Sequence, residues 1–590
     1  MSTHARPLAE ALAGRAEEDL LLLLTRREIR ADAPWNDLFD AAEALLDPAA
    51  ITRFLPRLTR EEAEGLAGAV HGAAVHGASG PPASEGTAAL VALALLAPDG
   101  TPYPPVAAAV AGLPDLPIRR STPDAPALSS EDVADAALAA RGAEHAFTAV
   151  AILADLMLLT QDTPLALLAG GTIGASEKRR AVERGLPDDG VLIDDLLVLG
   201  IAADLLRAAD RTLRLTSVGE DWLGLPGVER WTMLAEGFLR RLPAGLRRPG
   251  GGWIDPGAWP DAYPWDSTWP EAAAAHSRRA ELLGLVADGR PTPWAAPMRG
   301  GGKADVTLLR AALPAEVDRV FLQNDLSAIA PGPLLPTLDL RLRTMAEREP
   351  ATQASSYRFT ADSLAAGLAV GETERSIIAF LEEISLTGVP QPLRYLVSQA
   401  TQRHGLVRVT ADPVTGRTSI DSADPHLLDA IGVDHALRPL GLVRDGAALS
   451  TRVGRETVFW ALTDEHYPAA LIGPDGADER ALRVPALSPN RDEDAAHRYR
   501  DLLHRLRSAQ GPDADAAWLD RELEHAVRQR AVLAVEVAMP DGSTRELVLE
   551  VTGLGGGRLR GRDRAADVER TLPIRSIRST RLVPADGTGS

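Results

Sequence analysis

The sequence predicts an α+β multi-domain protein, and three observations predict it. A chain of 590 residues exceeds what one hydrophobic core organises, so about three to five domains are expected. Its N-terminal half reads as mainly helical, with residues 1 to about 135 rich in Ala and Leu. Its segment 531–583 alternates apolar and polar residues with the two-residue period of a strand.

Residues 1–135 read as a helical N-terminal region. The stretch "AEEDLLLLLTRREIRADAPW" (16–35) runs from acidic through apolar to basic, the order that suits a helix dipole. "DPAAITRFLPRLTREEAEGL" (47–66) reads as two short helices with Thr59 as a cap. Pro/Gly/Ser clusters at 77–86 and 113–130 read as loops. Residues 136–250 carry an apolar helix at 146–159, further helices at 174–185 and 188–206, then a strand leading into a helix at 211–223. Three helices followed by a strand pair predict a winged-helix-like domain. Its third helix would carry Asp188, Asp189, Asp194, Asp195 and Asp204, a surface that phosphates would repel, so protein contact is favoured over DNA contact there. Residues 251–317 form a Trp/Pro-rich connecting segment. Trp253, Trp259, Trp265 and Trp269 are interleaved with aspartates, not with the cations of a base-stacking platform, and read as groove-filling side chains.

Residues 318–475 begin "DRVFLQNDLSAIAPGPL". The polar break at Gln323-Asn324-Asp325 is either a catalytic turn or a corner between two strands. Downstream, Thr360 caps "ADSLAAGLAVG", and Ile377, Phe380, Leu381 and Ile384 share one helical face. A helix ending at Gly405, a strand, and a helix and strand within 455–473 follow. Residues 490–530 form a helical pair. Four strands in 531–585, with a turn at Pro540-Asp541-Gly542, predict a small C-terminal β-barrel.

Composition excludes several functions. There is no cysteine, so disulfides, thiol catalysis and cysteine metal sites are excluded. The net charge is −20, opposite to blanket nucleic-acid binding, so any such contact is local. No segment is read as reaching the ~20 apolar residues that cross a bilayer, and the N-terminus shows no signal core. The chain is expected to be cytoplasmic, with no membrane partner.

The ordered motifs of 319–410 carry a resemblance. "FLQNDLSAIAPGPL", "YRFTADSLAAGLAVGETERSIIAFLEEIS" and "VPQPLRYLVSQATQRHGLVRV" resemble, in order, the domain at the N-terminal end of XPB-type DNA repair helicases, also found in bacterial helicase-associated proteins. The resemblance implies association with DNA unwinding and repair, outside the motor and without chemistry, and so a packing turn at Gln323, Asn324 and Asp325. "GRLRGRDRAADVERTLPIRSIRSTRLV" resembles the WYL domain of bacterial regulators in degenerate form: the Trp-Tyr-Leu signature is absent, and Arg558-Leu559-Arg560 stands near its place. The N-terminal half is similar to the helical and winged-helix regions of the same helicase-associated proteins.

No constellation for chemistry emerges. A phosphate loop needs GxxxxGK[ST]. In "APMRGGGKADV" (296–306) Pro297 replaces the first glycine and Ala304 the hydroxyl after Lys303. "GLGGGRLRG" fails GxGxxG, "HGASGP" and "IGASEK" miss GxSxG, and "TDEHYP" (463–468) lacks the i, i+4 spacing of a helical metal site. No catalytic residue, cofactor or metal is therefore expected. The one local excess of positive charge lies at 551–585, where eight arginines face three acids. Arg558, Arg560, Arg562 and Arg564 share a strand face by alternation; with Arg575 and Arg578 they are the nucleic-acid-contact candidates. Pairing with acidic faces elsewhere on the chain stays open as the other reading. The function expected is a non-catalytic scaffold or adaptor in DNA transactions. It would have protein partners in a DNA repair or helicase assembly and local DNA contact through the arginine patch. A DNA-binding transcriptional regulator is the first alternative, a divergent DNA-acting enzyme the second.

Overall fold

The computed structural model describes residues 5–76, 85–116, 132–349, 355–412, 415–479, 484–489, 495–510, 514–539 and 543–583. Most of the loops expected at 77–86 and 113–130, and the turn at 540–542, lie outside them. The chain divides into two compact units, of mixed α+β character.

The first unit comprises Met1–Pro123, Ala258–Ala273 and Arg491–Ser590. Its N-terminal helices start where capping side chains satisfy free amides. The Asp37 carboxylate accepts from the Phe39 and Asp40 amides ahead of Leu38–Leu45. Asp47 precedes Pro48 at the start of Pro48–Phe54. The Thr59 hydroxyl accepts from the Glu62 amide while Glu62 accepts from the Thr59 amide, a reciprocal cap on Arg60–His76. One core joins Leu8, Leu24, Phe39 and Ile51 to Tyr499, Leu502, Leu506 and Trp518, so the late helix Ala495–Ser508 completes the N-terminal bundle.

The C-terminal sheet has five antiparallel strands, Val532–Ala538, Thr544–Gly555, Arg558–Asp563, Val568–Pro573 and Ile577–Leu582. In space they run fourth, third, second, first, fifth. Two expectations are corrected. The last expected strand is two, divided by a 3₁₀ turn at Ile574–Ser576 that follows Pro573. The sheet is open, with two edges, and not a closed barrel. Its inner face is covered by Leu519, Leu523 and Ala526 of the helix Ala514–Gln529, packed on Leu533, Val535, Leu549 and Val551. A helix lid removes the apolar face from water without strand closure.

The second unit comprises Asp124–Gly257 and Ala274–Asn490. It opens with the long helix Asp132–Asp162. Its stretch Asp135–Gln161 is long and apolar enough to cross a membrane by length and composition. This corrects the expectation that no segment reaches that length, but 56% of its most apolar window is buried inside the protein. There follow a short strand Leu165–Ala166, helices Ala175–Glu183 and Gly190–Ala202, and a hairpin of Leu206–Ala209 and Thr212–Leu215. The hairpin turns on Asp210 and Arg211, both at positive φ, the geometry that matches strand twist. The third strand pairs with both others. The next helix packs closely: a Cβ on Gly219 would meet the Leu205 carbonyl oxygen at 2.3 Å.

Downstream of 317 lie two sheets. Phe321–Leu322, Ser327–Ala330, Ser355–Arg358 and Glu347–Glu349 form an antiparallel four-stranded sheet in that spatial order. Three helices, Ala361–Ala369, Glu374–Ile384 and Gln391–Arg403, share its core through Leu364, Ile377, Phe380, Leu381, Ile384 and Leu393. The second sheet has five strands, ordered Val443–Asp445, Ala448–Thr451, Thr418–Ser422, Val407–Ala411, Ala469–Leu471. Only its last pair is parallel, reached through the helix Arg455–Asp464.

Candidate nucleic-acid interface

The polar break at 323–326 is a corner between strands. Asp325 Oδ1 accepts from the Ser327 hydroxyl at 2.6 Å and from its amide at 3.2 Å. The Gln323 amide donates to the Ser327 carbonyl at 2.9 Å. Leu326 takes a positive φ of 68°, and Arg358 Nη1 donates to the Asp325 carbonyl at 3.3 Å. The hydrogen bonds from Ser327, with Arg358 nearby, hold the Asp325 carboxyl below its ordinary range. These hydrogen bonds all run within the turn or its sheet.

The glycine-rich stretch before Val306–Ala312 is exposed and leads into a capped helix. Ala296–Gly300 is a 3₁₀ turn. The helix after Lys303 is capped by Asp305, whose carboxylate accepts from the Thr307 and Leu308 amides at 3.1 Å each. A carboxylate thus sits where a phosphate loop would present free amides to an anion.

The aspartates of 188–204 do not form the repulsive surface that was expected. Asp189 caps Gly190–Ala202 through the Val191 and Leu192 amides. Asp194 receives Lys178 Nζ at 2.5 Å. Asp195 is buried beneath Arg279 and Arg278, at 2.7 and 3.1 Å. Asp204 lies 3.3 Å from Arg241. Asp188 and the capping Asp189 are exposed without a cation partner among the described residues. What that helix shows to solvent is Val191, Val198 and Ile201, in register with Asp194 along one face. The face is mainly apolar and its one cation, Lys178, is neutralised by Asp194, which is a different reason for it to be a poor phosphate surface.

The arginine candidates fall into two sets. In Arg558–Asp563 the residues alternate strictly: Arg558, Arg560 and Arg562 are exposed, while Leu559, Gly561 and Asp563 are buried. Arg564 lies beyond the strand end, in the following turn, and is exposed. Arg562 is neutralised, bonded to Asp567 at 2.6 Å and flanked across the strands by Glu550 and Glu569. Arg560 lies between Gly553 and Thr571, and Arg558 between Gly555 and Pro573, with no acid beside either. Arg575 and Arg578 are exposed on the turn and last strand. Two further arginines are committed: Arg570 to the buried Asp563 at 2.6 Å and Arg581 to Glu546 at 3.1 Å. The Arg570 hydrogen bond holds the Asp563 carboxyl below its ordinary range. Thus Arg558, Arg560, Arg564, Arg575 and Arg578 have no ion pair among the described residues. The Arg558–Arg560 end of the sheet is the unopposed positive surface.

Sequence reasoning missed a second charged constellation, because its members are distant in the chain. In the second unit, Asp155 of the long helix receives Arg343 at 2.8 Å and Arg348 at 2.9 Å. Arg343 also bonds Asp339 at 2.9 Å, and the Tyr357 hydroxyl donates to Asp339. Burial penalises the Arg343 charge, but Asp339 and Asp155 outweigh it and hold the guanidinium above its ordinary range. Asp339, Arg343 and Arg348 line a cleft of 590 Å³ with Phe147 and several prolines. Arg310, Arg343 and Arg348 there are paired with carboxylates and Arg230 with the Trp222 and Leu223 carbonyls, and the Asp155 network fastens the long helix to the domain that begins near 318. Among the described residues no three His, Asp or Glu side chains gather as a metal site.

No curated protein matches this chain. One family model does, described as the helicase conserved C-terminal domain, over residues 320–445. That span takes in the four-stranded sheet with its three helices and continues into the second sheet. Residues 320–445 therefore form a helicase-related domain.

Proposed function

We propose that this protein is a non-catalytic, helicase-associated adaptor in DNA transactions. It would contact partner proteins and touch nucleic acid through Arg558, Arg560, Arg575 and Arg578. The observation that carries the reading is the helicase-related domain at 320–445, whose polar turn at 323–326 is consumed by its own strands. The Asp305 cap after Lys303 supports a chain without a phosphate-holding loop. The finer kinship with the XPB-type N-terminal domain rests on the ordered motifs of 319–410. A winged-helix-like domain at 136–250 is supported by its helix, strand, two helices and hairpin. A degenerate WYL-like domain at 531–585 rests on its sequence and on a helix-covered five-stranded sheet. The domain limits given above belong to the same proposal.

The regulator reading needs a helix that reads a groove. The exposed face of Gly190–Ala202 offers Val191, Val198 and Ile201 instead, which favours a protein partner there. The test is the purified chain with ATP, magnesium and duplex or forked DNA. The adaptor reading expects binding without ATP turnover or strand separation. DNA-stimulated hydrolysis would overturn it.

A further inference from the structure

We propose that a pocket above Arg27, in the first unit, binds a small-molecule oxyanion carried on an apolar or aromatic body. The pocket measures 420 Å³, within the range of small-ligand sites (about 300–1,000 Å³) and too small for a nucleic-acid strand. It lies between the end of Glu17–Arg26, the segment 28–35, and the helices Leu38–Leu45 and Pro48–Phe54.

Arg27 is 8% exposed, and its charge has no carboxylate partner among the described residues. Nη2 donates to the Leu45 carbonyl at 2.7 Å, and the guanidinium sits 4.4 Å from the Phe54 ring centroid. Nη1 is buried and makes no hydrogen bond. Burial without a counter-charge pushes the guanidinium down to about 10. A buried charge so placed is stabilised by an anion that also supplies the missing acceptor.

The remaining lining matches that role. Arg53 is exposed and unpaired among the described residues. Arg30 and Arg57 bond the exposed carboxylates of Asp32 and Glu28, which an incoming oxyanion can replace. Four arginines against two acids give this pocket a local charge of 4 − 2 = +2, in a chain of net −20. Ile29, Pro34 and Trp35 supply an apolar wall for the ligand body. The segment is held in place beforehand, since the Tyr499 hydroxyl donates to the Ile29 carbonyl at 2.8 Å and Arg505 Nη2 to the Ala33 carbonyl at 2.9 Å. Preorganisation of this kind lowers the cost of ordering on binding.

Calorimetric titration of the full chain with phenyl phosphate, benzoate, inorganic phosphate and benzyl alcohol, at constant ionic strength, tests the assignment. At least one aromatic anion should saturate one site and bind about tenfold tighter than both inorganic phosphate and benzyl alcohol. The tighter of the two identifies the head group as phosphate or carboxylate. Arg53→Ala, at an exposed position, should weaken binding about fivefold or more. Arg27→Gln should abolish it where circular dichroism shows the variant folded. The assignment is overturned if neither aromatic anion outcompetes benzyl alcohol, or if Arg53→Ala binds as the parent does.

Discussion

Asp195→Ala separates a structural aspartate from a surface one. Asp195 lies in Gly190–Ala202 with its side chain 4% exposed, beneath Arg279 (18% exposed) and Arg278 (48% exposed). The half-exposed Arg278 keeps most of its hydration and contributes little. Arg279 is largely desolvated, and removing its carboxylate strands a charge, a loss of about 3–5 kcal/mol. Asp195→Asn keeps a hydrogen-bond acceptor but not the charge and should cost less, about 1–3 kcal/mol. Asp188→Ala, at an exposed position, should stay within about 0.5 kcal/mol of the parent. Differential scanning calorimetry reads all three, and the transition of the second unit should fall most in Asp195→Ala, less in Asp195→Asn and hardly at all in Asp188→Ala. If Asp195→Ala melts with Asp188→Ala, the buried ion pair does not support this helix and the reasoning fails.

Four further outcomes follow from the same physics. Burial pushes the Glu522 carboxyl up to about 7, despite Arg6 nearby. The native first unit then holds a proton that the unfolded chain releases near its ordinary value, so its stability falls as pH rises from about 4.5 to 7. Burial, helped by Arg279, pushes His276 down to about 4; here the unfolded chain binds the extra proton, so the second unit loses stability as pH falls from about 6.5 towards 4. The two calorimetric transitions should therefore move in opposite directions across that range, and Glu522→Gln should flatten the first. Asp325→Ala should lower the urea midpoint through the lost Ser327 bonds, while leaving DNA affinity unchanged. Thr360→Ala removes one half of the reciprocal cap with Ser363 and should cost about 1 kcal/mol in the same assay. Val198→Glu, on the exposed helix face, should leave duplex affinity unchanged and reduce recovery of a copurifying protein.

Local physics was legible where a few neighbouring residues decide it. Ile377, Phe380, Leu381 and Ile384 are buried on one face of Glu374–Ile384, and Thr360 caps its helix with Ser363, both readable from spacing. Strand alternation likewise set Arg558, Arg560 and Arg562 on one exposed face. What escaped depends on partners far along the chain. Val443–Asp445 is exposed at all three positions and has no alternation to betray it; its register comes from Ala448–Thr451. Asp132–Asp162 continues through Gly142, which packs against Thr292 and Trp294, a contact 150 residues away. The pairing of Asp195 with Arg279 and of Asp155 with Arg343 turned apparent surface acids into internal ones. The Arg27 pocket left no motif, because its members gather from three helices and a loop.

The salt dependence of DNA binding tests the central claim most directly. Each phosphate contact contributes about 0.9 to the slope of log K against log salt on duplex, and about 0.7 on single strands. Replacing Arg558, Arg560, Arg575 and Arg578 with alanine should flatten that slope by about two to four and weaken binding on all sequences alike. Arg562→Ala, which removes a cation already bonded to Asp567, should leave it nearly unchanged. A fourfold variant that binds with the parent's affinity and slope would contradict the account.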